Sequence, residues 1–320
     1  MLVDVRPELS VVVPMFNEED VLPLFVERLR PVLDEMGVAY EVVCVDDGSA
    51  DATAVLLQRY RRDWDQLRVV RLRANSGHQA AISAGLARAR GDWMVTIDAD
   101  LQDPPEVIAE MLETGKREHV DVIYGVRTDR STDTRFKRTT AEGFYKVMNK
   151  LGAQGAMNAG DFRMMSRATV DAVLALPEQN RVLRLAVPTL GFPSSEVGYK
   201  REQRAAGESK YPLSKMLKLT LDSITGVSHA PLRFATWFGL AGFVIAFAVM
   251  LFAIISKLSG HSITGWASTI VIISVFGAFQ LLCLGILGEY VGRMYTSLQA
   301  RPTHYIAYDS LETSEANREF

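Results

Sequence analysis

The stretch that decides the fold runs from Trp93 to Glu106 and reads Trp-Met-Val-Thr-Ile-Asp-Ala-Asp-Leu-Gln-Asp-Pro-Pro-Glu. Its first five residues are apolar or β-branched and predict a buried strand. Three carboxylates follow directly, at Asp98, Asp100 and Asp103. Clustered carboxylates repel one another and are costly to hold together unless they share a cation. Such oxygen ligands suit Mg²⁺ or Mn²⁺, which combine one or two carboxylates with phosphate oxygens.

A second interpretation of these acids needs no metal. Asp103 could be the N-cap of the next helix, with Pro104 as its first residue, in a solvated turn. Capping accounts for Asp103 but leaves Asp98 and Asp100 unexplained. The spacing alone therefore leaves both interpretations open.

Apolar runs alternate with helical patterns on both sides of this stretch. Further strands are predicted at residues 10–16, 41–45, 67–72 and 120–124, and helices at residues 21–36, 52–64 and 79–89. This alternation predicts an α/β fold with a mostly parallel sheet and helices on both faces. In such sheets, ligands bind beyond the carboxyl ends of the strands. We therefore expect the acids after Ile97 to lie at the ligand-binding edge.

A second acidic strand end lies at Asp46-Asp47-Gly48-Ser49. Its glycine permits a tight turn. The turn could be a simple connection in which Ser49 or Asp51 caps the helix that follows. Two acidic strand ends of one parallel sheet would, however, open onto the same crevice. A ribose or uracil edge at one and a metal-bound pyrophosphate at the other would account for both.

Two long uncharged stretches follow in the C-terminal part, Trp237–Ile255 and Ser262–Gly288. Each is long enough to cross a bilayer, which needs about 20 apolar residues; the alternative is a pair of buried core helices. Basic residues flank the pair at Lys210, Lys215, Lys218, Arg233, Arg293 and Arg301, whereas the connecting loop holds only Lys257 and His261. The positive-inside rule then predicts a multi-pass plasma-membrane protein with both long ends, including the α/β domain, in the cytoplasm.

The chain is accordingly divided into four segments: a cytoplasmic α/β domain (1–210), a juxtamembrane region (211–232), two transmembrane helices (233–292) and a cytoplasmic tail (293–320). The juxtamembrane region carries an apolar helical face formed by Leu213, Met216, Leu217, Leu221 and Ile224. That face suits a helix lying in the membrane interface among lipids, or one packed on the domain.

Other features of the sequence limit the kinds of partner that we expect. The small residues Gly277, Gly285 and Gly288 allow close helix packing and predict a homo-oligomer. The net charge of -3 does not indicate nucleic acid as a partner. Cys44 and Cys283 fall in a strand and a span, so no disulfide framework is expected.

The motifs, taken in order, resemble family 2 glycosyltransferases with the GT-A fold. Residues 12–18, 46–49, 75–79 and 98–106 carry this resemblance. More narrowly, the chain resembles polyprenyl-phosphate glycosyltransferases, namely dolichyl-phosphate mannose synthases and bacterial bactoprenol glucosyltransferases. Residues 160–164 and 204–211, together with the two spans, match the bacterial branch. The resemblance extends from Leu9 to about Tyr305.

The resemblance implies roles on the donor side. Beside the nucleotide it places Pro14, Asn17, Glu18, Asp46, Asp47 and Asp98, with Ser209 on a loop that covers the donor. Asp98 and Asp100 match the DxD pair of the family. Together with Gln102 they would hold Mg²⁺ or Mn²⁺ on the donor diphosphate.

The resemblance also implies catalytic residues. Arg127 and Arg138 would face the pyrophosphate or the acceptor phosphate, although both could be surface residues. Asp161 would orient the sugar or the acceptor. Arg204 and Lys210 would contact phosphate from the same loop as Ser209. Two residues are left outside these roles: Glu19 as a cap of the helix that follows it, and His78 as a helix-start residue.

The implied reaction is transfer of a hexose from UDP-glucose to undecaprenyl phosphate. A phosphate monoester with a second pKa of about 6 is already an anion at neutral pH, so no strong general base is needed. This suits strand ends that show no His–Asp dyad, and we expect inversion at the anomeric carbon. GDP-mannose or another UDP-sugar is an alternative donor. A processive polysaccharide synthase is disfavoured because no tryptophan completes a Q-x-x-R-W motif, and a nucleotide-sugar-binding scaffold would be expected to lack the metal acids.

Overall fold

The computed structural model describes residues 6–128, 159–177, 182–202, 230–259, 265–299 and 301–312. The chain forms two compact units, one made of residues 1–149, 154–210 and 301–320, the other of residues 150–153 and 211–300. The strands are β1 (Leu9–Met15), β2 (Tyr40–Asp46), β3 (Leu67–Leu72), β4 (Trp93–Thr96), β5 (Val122–Arg127), β6 (Ala159–Ser166), β7 (Ser194–Tyr199) and β8 (Ile306–Asp309). The helices are α1 (Leu22–Glu35), α2 (Thr53–Asp63), α3 (His78–Arg88), α4 (Val107–Glu118), α5 (Arg167–Ala175), α6 (Leu183–Thr189), α7 (Ala230–Leu258) and α8 (Trp266–Leu298).

The first unit is built on one mixed sheet with strand order β7-β5-β6-β4-β1-β2-β3-β8. Strands β4, β1, β2 and β3 run parallel, as do β5 and β7. Strand β6 is antiparallel to both β4 and β5, and β8 is antiparallel to β3. The predicted α/β fold with a mostly parallel sheet is confirmed.

Apolar side chains cover both faces of this sheet. On one face, α1 packs through Leu22, Phe25, Leu29 and Leu33, at the three- and four-residue spacing of an amphipathic helix. Helices α2 and α4 lie on the same face, and α3, α5 and α6 cover the other. Helix α3 lies especially close, because a Cβ on Gly85 would come within 2.4 Å of the Val12 side chain.

The sheet opens at its carboxyl edge between β1 and β4. Strand β1 pairs with β2 along its whole length, but its pairing with β4 ends at Val12 and Thr96. Pro14 lies two residues beyond that point, where its missing N–H interrupts no bond to β4. Strand order reverses between these two strands, which makes the gap a topological switch point and the expected ligand site of an open α/β sheet.

The C-terminal segment returns to the first unit. Strand β8 pairs antiparallel with β3, with Val70 opposite Asp309 and Leu72 opposite Ile306. The sequence predicted a cytoplasmic tail from residue 293 with no strand in it, and β8 corrects that part of the prediction; the cytoplasmic location stays a prediction. Four residues of ordinary composition after a long apolar helix give no periodic signal that would have revealed the strand.

The second unit contains the two long helices. Within α7 and α8, the segments Ala235–Phe252 and Val275–Leu298 are long and apolar enough to cross a membrane. Large side chains such as Phe252 and Leu281 stay about two-thirds exposed, which fits a lipid-facing surface better than the interior of a water-soluble domain. Helix α8 ends six residues beyond the predicted boundary at 292. The predicted juxtamembrane helix lies outside the described residues.

Candidate active site at the carboxyl edge of the sheet

The loops after β1 and β2 are locked to each other by hydrogen bonds. Asn17, in a left-handed conformation with φ 55°, donates its N–H to Ser49 Oγ at 3.0 Å and accepts from the N–H of Ala50 at 2.9 Å. The Glu18 N–H donates to Thr53 Oγ1 at 2.8 Å. These bonds place the 17–18 turn beside the β2 turn, at the mouth of the crevice.

Glu19 belongs to the same set of hydrogen bonds between the two loops. Its carboxylate accepts the N–H of Ala52 at 2.8 Å, at the start of α2. Helix α1 begins after Val21 without a side-chain cap. The prediction that Glu19 caps the helix following it is therefore wrong, because its carboxylate binds the start of α2 on the neighbouring loop and not the start of α1.

Asp46 and Asp47 are buried and already hydrogen-bonded within the protein. Asp46 accepts the N–H of Ser49 at 2.8 Å and lies 3.1 Å from Arg71 Nε. Asp47 accepts the N–H groups of Ser76 and Gly77 at 2.7 and 2.9 Å. Between the β2 and β3 ends, Gly48 adopts φ 70°, and a Cβ there would approach the Ala74 carbonyl carbon to 2.8 Å.

This pair of acids consequently has two distinct positions. Asp47 uses both oxygens to fix the 76–77 turn. Asp46 lies under the Arg71 guanidinium, whose side chain is 44% exposed. A ligand reaching this corner would therefore meet the arginine as well as the acid.

The loop after β4, residues 97–103, carries the predicted metal ligands, and we call it the acidic loop. Asp100 accepts the N–H of Gln102 at 3.1 Å, and Leu101 between them is left-handed with φ 58°. Arg201 donates to the Gln102 side-chain oxygen. Asp103 accepts from the Tyr199 hydroxyl at 2.5 Å.

Asp103 is not the N-cap of the next helix. Helix α4 begins at Val107, and its N-cap is Glu106. The two prolines form a turn in which the Val107 N–H donates to the Pro104 carbonyl. The capping interpretation is thus wrong, because the Asp103 side chain turns inward to Tyr199.

Asp98 lies in a concentration of negative charge. Burial first, and then the carboxylates of Asp161, Asp100 and Asp103, raise the pKa of Asp98 to about 6, although His78 opposes them. The Asp98 side chain keeps 41% of its surface accessible, so a ligand can reach it from the crevice. A divalent cation at Asp98 and Asp100 would relieve this repulsion.

The donor set fits Mg²⁺ or Mn²⁺ bound together with a diphosphate. Within the described parts of the chain, no three His, Cys, Asp or Glu side chains converge into a complete cage. Mg²⁺ is usually held by one or two carboxylates, with water and substrate phosphates completing the octahedron. An acidic loop that supplies part of the coordination is therefore the arrangement expected for a metal that arrives with its phosphates.

Asp161, near the start of β6, is surrounded by donors. Arg163 donates to it at 3.0 Å and the Gln79 amide at 3.3 Å. His78 Nε2 lies 3.4 Å and Arg184 Nη2 3.7 Å from the same carboxylate. Burial alone would raise the pKa of Asp161, but the His78 hydrogen bond and the charges of the two arginines hold it well below its ordinary range.

His78 joins the two acidic groups of the site. Its Nε2 lies 3.6 Å from Asp98 as well as 3.4 Å from Asp161. Burial lowers the pKa of His78, but both carboxylates outweigh burial and leave that pKa above its ordinary value. The expectation that these strand ends hold no His–Asp dyad is therefore wrong.

The remaining predicted residues fall into two groups. Arg127, at the end of β5, lies 3.4 Å from the Tyr199 hydroxyl and 3.9 Å from Asp103, so it borders the acidic loop. The others lie outside the described residues: Arg138, Arg204, Ser209 and Lys210.

Several residues at the site were not among the predicted site residues. These are His78, Gln79, Arg163, Arg184 and Arg201. His78 could have been found, because it opens a helix directly after the β3 end and thus faces the same edge as the acids. The arginines could not, since Arg163 and Arg201 reach this edge only through the long-range pairing of β6 and β7, and Arg184 reaches it only through the packing of α6.

Known proteins are similar to this chain over most of its length. The family described as Glycosyl transferase family 2 matches residues 10–174. The uncharacterized glycosyltransferase YkoT of Bacillus subtilis (strain 168) is 41% identical over 312 residues, which are 95% of this chain and 92% of that protein. YkcC of the same organism, also an uncharacterized glycosyltransferase, is 42% identical over 93% of this chain and 92% of that protein. The SfII prophage-derived bactoprenol glucosyl transferase of Shigella flexneri is 38% identical over 93% of this chain and 97% of its own length.

Proposed function

The chain belongs to glycosyl transferase family 2, and from this premise we propose that it transfers glucose from UDP-glucose to a polyprenyl phosphate such as undecaprenyl phosphate. The observation that carries the proposal is the match to a bactoprenol glucosyl transferase over 301 residues, 93% of this chain and 97% of the relative. That match extends through the two long helices, so it includes the part of the chain that a lipid acceptor requires. The α/β unit has the GT-A fold.

The donor would bind at the gap between β1 and β4. The 17–18 turn and the Asp46–Arg71 corner would hold the nucleoside, with Pro14 and Asp47 supporting the two turns. The diphosphate would reach the loop that carries Asp98, Asp100 and Gln102. Asp98 and Asp100, joined by Gln102, would hold Mg²⁺ or Mn²⁺ there. The bound metal supplies charge neutralisation on the leaving diphosphate.

Asp161 would position the reactants instead of removing a proton. Its carboxylate is held ionised by His78, Gln79, Arg163 and Arg184, and such a strongly stabilised anion is a poor base near neutral pH. The acceptor phosphate needs no deprotonation, because its second pKa of about 6 leaves it largely dianionic at neutral pH. One phosphate oxygen would form a bond to the anomeric carbon while the bond to the diphosphate oxygen breaks, so the nucleoside diphosphate leaves with the electron pair and the configuration inverts.

Arginines would supply the positive charge that this displacement needs. Arg127 borders the acidic loop, at 3.9 Å from Asp103. Arg138, Arg204 and Lys210 are proposed to contact the phosphates, with Ser209 near the donor. Alignment of phosphate oxygen, anomeric carbon and leaving group can supply several kcal/mol of the rate enhancement.

The two apolar helices are proposed to anchor the enzyme in the plasma membrane, with the catalytic unit in the cytoplasm where nucleotide sugars and lipid phosphate meet. The catalytic unit includes residues on both sides of the helical pair. Its two parts must therefore lie on one side of the bilayer, which agrees with the distribution of basic residues.

The test is radiolabelled sugar transfer to undecaprenyl phosphate by the purified full chain in detergent. UDP-glucose would be compared with GDP-mannose and other UDP-sugars, in Mg²⁺, Mn²⁺ or chelator. We expect metal-dependent transfer from UDP-glucose, a β-linked product from the α-linked donor, and a loss of about a hundredfold or more in Asp100→Asn.

A matched control is Asp92→Asn. This exposed acid pairs with Arg6 at 3.1 Å on the opposite edge of the sheet, so its loss should leave transfer unchanged. Nucleotide binding without transfer from any donor would instead support a non-catalytic scaffold. A product with retained configuration would contradict the single displacement.

A further inference from the structure

Arg28 on α1 bridges two glutamates that are far apart in the sequence. Its Nε and Nη2 donate to the two oxygens of Glu106 at 2.8 and 2.9 Å. Its Nη1 and Nη2 donate to the two oxygens of Glu202 at 2.7 and 2.8 Å. One guanidinium thus forms four charge-assisted bonds, with both carboxylates held in fork geometry. We call Arg28, Glu106 and Glu202 the arginine clamp.

The clamp closes directly on the acidic loop. Glu106 is the N-cap of α4, three residues after Asp103. Glu202 follows the end of β7, and its N–H donates to the Gln102 carbonyl at 3.0 Å. The adjacent Arg201 donates to the Gln102 side-chain oxygen. The residue assigned to the metal is therefore held by its backbone and its side chain to the segment that Arg28 fastens.

We infer that Arg28 is a positioning residue for glycosyl transfer: it fixes the 201–202 segment against the acidic loop and so sets the place of Gln102 and of the Arg201 cation. This inference rests on the proposed function, since it concerns the loop assigned to the donor diphosphate. Without the clamp, Glu106 and Glu202 would bring two further negative charges to a loop already crowded with carboxylates.

The exposure of the clamp argues for positioning over stability. Its side chains are 28% exposed for Arg28, 50% for Glu106 and 49% for Glu202. Solvent screens ion pairs that are this exposed, and only the bidentate geometry and the shared guanidinium raise their contribution to the free energy of unfolding above that of an ordinary surface pair. Four short bonds that serve mainly to order a loop are, in contrast, a means of fixing geometry near reacting groups.

Hydrogen exchange on the full-length protein tests the clamp without any reference to activity. In Arg28→Met, the amide of Glu202 should exchange about tenfold faster, because its bond to Gln102 opens more often. Arg28→Lys should restore part of the protection, since a lysine makes point contacts but no fork. Glu202→Gln removes the clamp from the other side and should give the same change, which covers the case in which an Arg28 variant fails to fold.

Arg30→Met is the matched control on the same helix. Arg30 pairs with Asp34 at 3.7 Å and lies over the Trp64 ring, away from the acidic loop. The Arg30→Met variant should leave amide hydrogen exchange at residues 198–202 unchanged. Unchanged exchange in both Arg28→Met and Glu202→Gln would overturn the inference.

Steady-state kinetics then show whether ordering of the loop by Arg28 also affects catalysis. Arg28→Met should lower kcat by about tenfold to a hundredfold with a change in KM for the donor below about threefold, and Arg28→Lys should recover part of kcat. Faster exchange with unchanged kcat would overturn the positioning role. If the wild-type chain transfers no sugar, the proposed function fails, and the exchange measurement still decides whether the clamp orders the loop.

Discussion

At the scale of single residues, Asp161 is defined by the donors around its carboxylate. Arg163 is fully buried and donates to it at 3.0 Å, while His78, Gln79 and Arg184 approach from α3 and α6. A carboxylate with so many cationic and polar neighbours stays ionised far below neutral pH. It can accept hydrogen bonds from a sugar or hold an arginine in place, but it offers little basicity.

This environment predicts the pH dependence of Asp161 variants. Because the pKa of Asp161 is held well below its ordinary value, the group stays ionised between pH 5.5 and 9, a range chosen to include the acceptor pKa of about 6. Asp161→Asn should therefore lower kcat by about a hundredfold across this range. A limb of the profile should shift but not disappear, because the Asp161 charge raises the pKa of both Asp98 and His78. Steady-state transfer rates measure this.

Asp171→Asn serves as the control, since Asp171 lies on α5 and pairs with Arg167 at 3.8 Å, with 63% of its side chain exposed. Its activity should match that of the wild type. An acid limb above pH 6 that disappears in Asp161→Asn would show that Asp161 titrates in that range, and the positioning role would be wrong.

The sequence predicts individual residues best where a strand end is followed by acids. Asp98 and Asp100 were predicted in this way, and both lie on the loop after β4; their role as metal ligands stays a prediction. The sequence misplaced the caps, because Glu19 and Asp103 turn towards Ala52 and Tyr199. Both partners are far away in the chain, so local helix-start rules could not identify them.

At the scale of elements, β8 completes the outer edge of the sheet. Arg61 donates to the Tyr308 hydroxyl at 2.9 Å, and Ser310 Oγ accepts the Val69 N–H at 3.0 Å. Asp309, almost fully buried, lies 3.7 Å from Arg68 and 3.5 Å from Arg88. Beneath it, Arg68 also binds the buried Glu41 at 2.8 Å. The C-terminal segment is therefore a structural part of the catalytic unit.

Truncation after Tyr305 should destabilise the catalytic unit. It would leave Arg68 buried without Asp309 and expose the edge of β3. Arg68 keeps Glu41 as a partner, so the cost comes from the lost β3–β8 hydrogen bonds and the lost Asp309 contacts. At about 1 kcal/mol per net hydrogen bond this loss is about 3 kcal/mol, which corresponds to a fall of roughly 10 °C in the melting temperature for a unit of this size. The exposed edge should also promote aggregation. Thermal unfolding in detergent with light scattering measures both.

Glu312→Gln is the control for this prediction. Glu312 also pairs with Arg88, but its side chain is 59% exposed, so its loss should change the melting temperature by about 2 °C or less. An unchanged melting temperature after the truncation would show that β8 contributes no stability to the sheet.

Strands β1 to β4 and helices α1 to α3 were predicted to within one residue at each end, whereas β5, predicted at 120–124, ends three residues later at Arg127. Strand β3 was predicted with the observed bounds, and α1, α2 and α3 each begin one residue from their predicted starts. Strand β7, in contrast, has the sequence Ser-Ser-Glu-Val-Gly-Tyr, with few apolar residues. It forms because it pairs with β5 along six residues, a long-range interaction that no local window contains.

At the scale of the whole molecule, one compact unit is made of segments that the helical pair separates in the chain. The helical pair lies between residues 210 and 301, yet residues before and after it belong to the same unit. Strand β8 is hydrogen-bonded to β3, and one sheet cannot extend across a bilayer whose core offers no water to unpaired backbone groups. If the two long helices span a membrane, as proposed, the chain must cross it an even number of times between the two segments.

This constraint predicts which positions can be labelled together. In a chain with Cys44 and Cys283 replaced by alanine, single cysteines would be placed at Asp20, Tyr305 and His261. A membrane-impermeant maleimide should label Asp20→Cys and Tyr305→Cys only in inside-out vesicles. His261→Cys, at a position between the two helices in the chain, should be labelled only in right-side-out vesicles.

Each pair of positions tests a different statement. Asp20 and Tyr305 are both exposed, and the Tyr305 carbonyl accepts the Arg73 N–H at 2.9 Å, so the two sites must share a compartment if β8 closes the sheet. Labelling of Tyr305→Cys from the opposite side would refute the β3–β8 pairing. Labelling of all three from one side would preserve that pairing and show that α7 and α8 do not cross the membrane, since helices lying along the surface would leave the connecting loop on the cytoplasmic side.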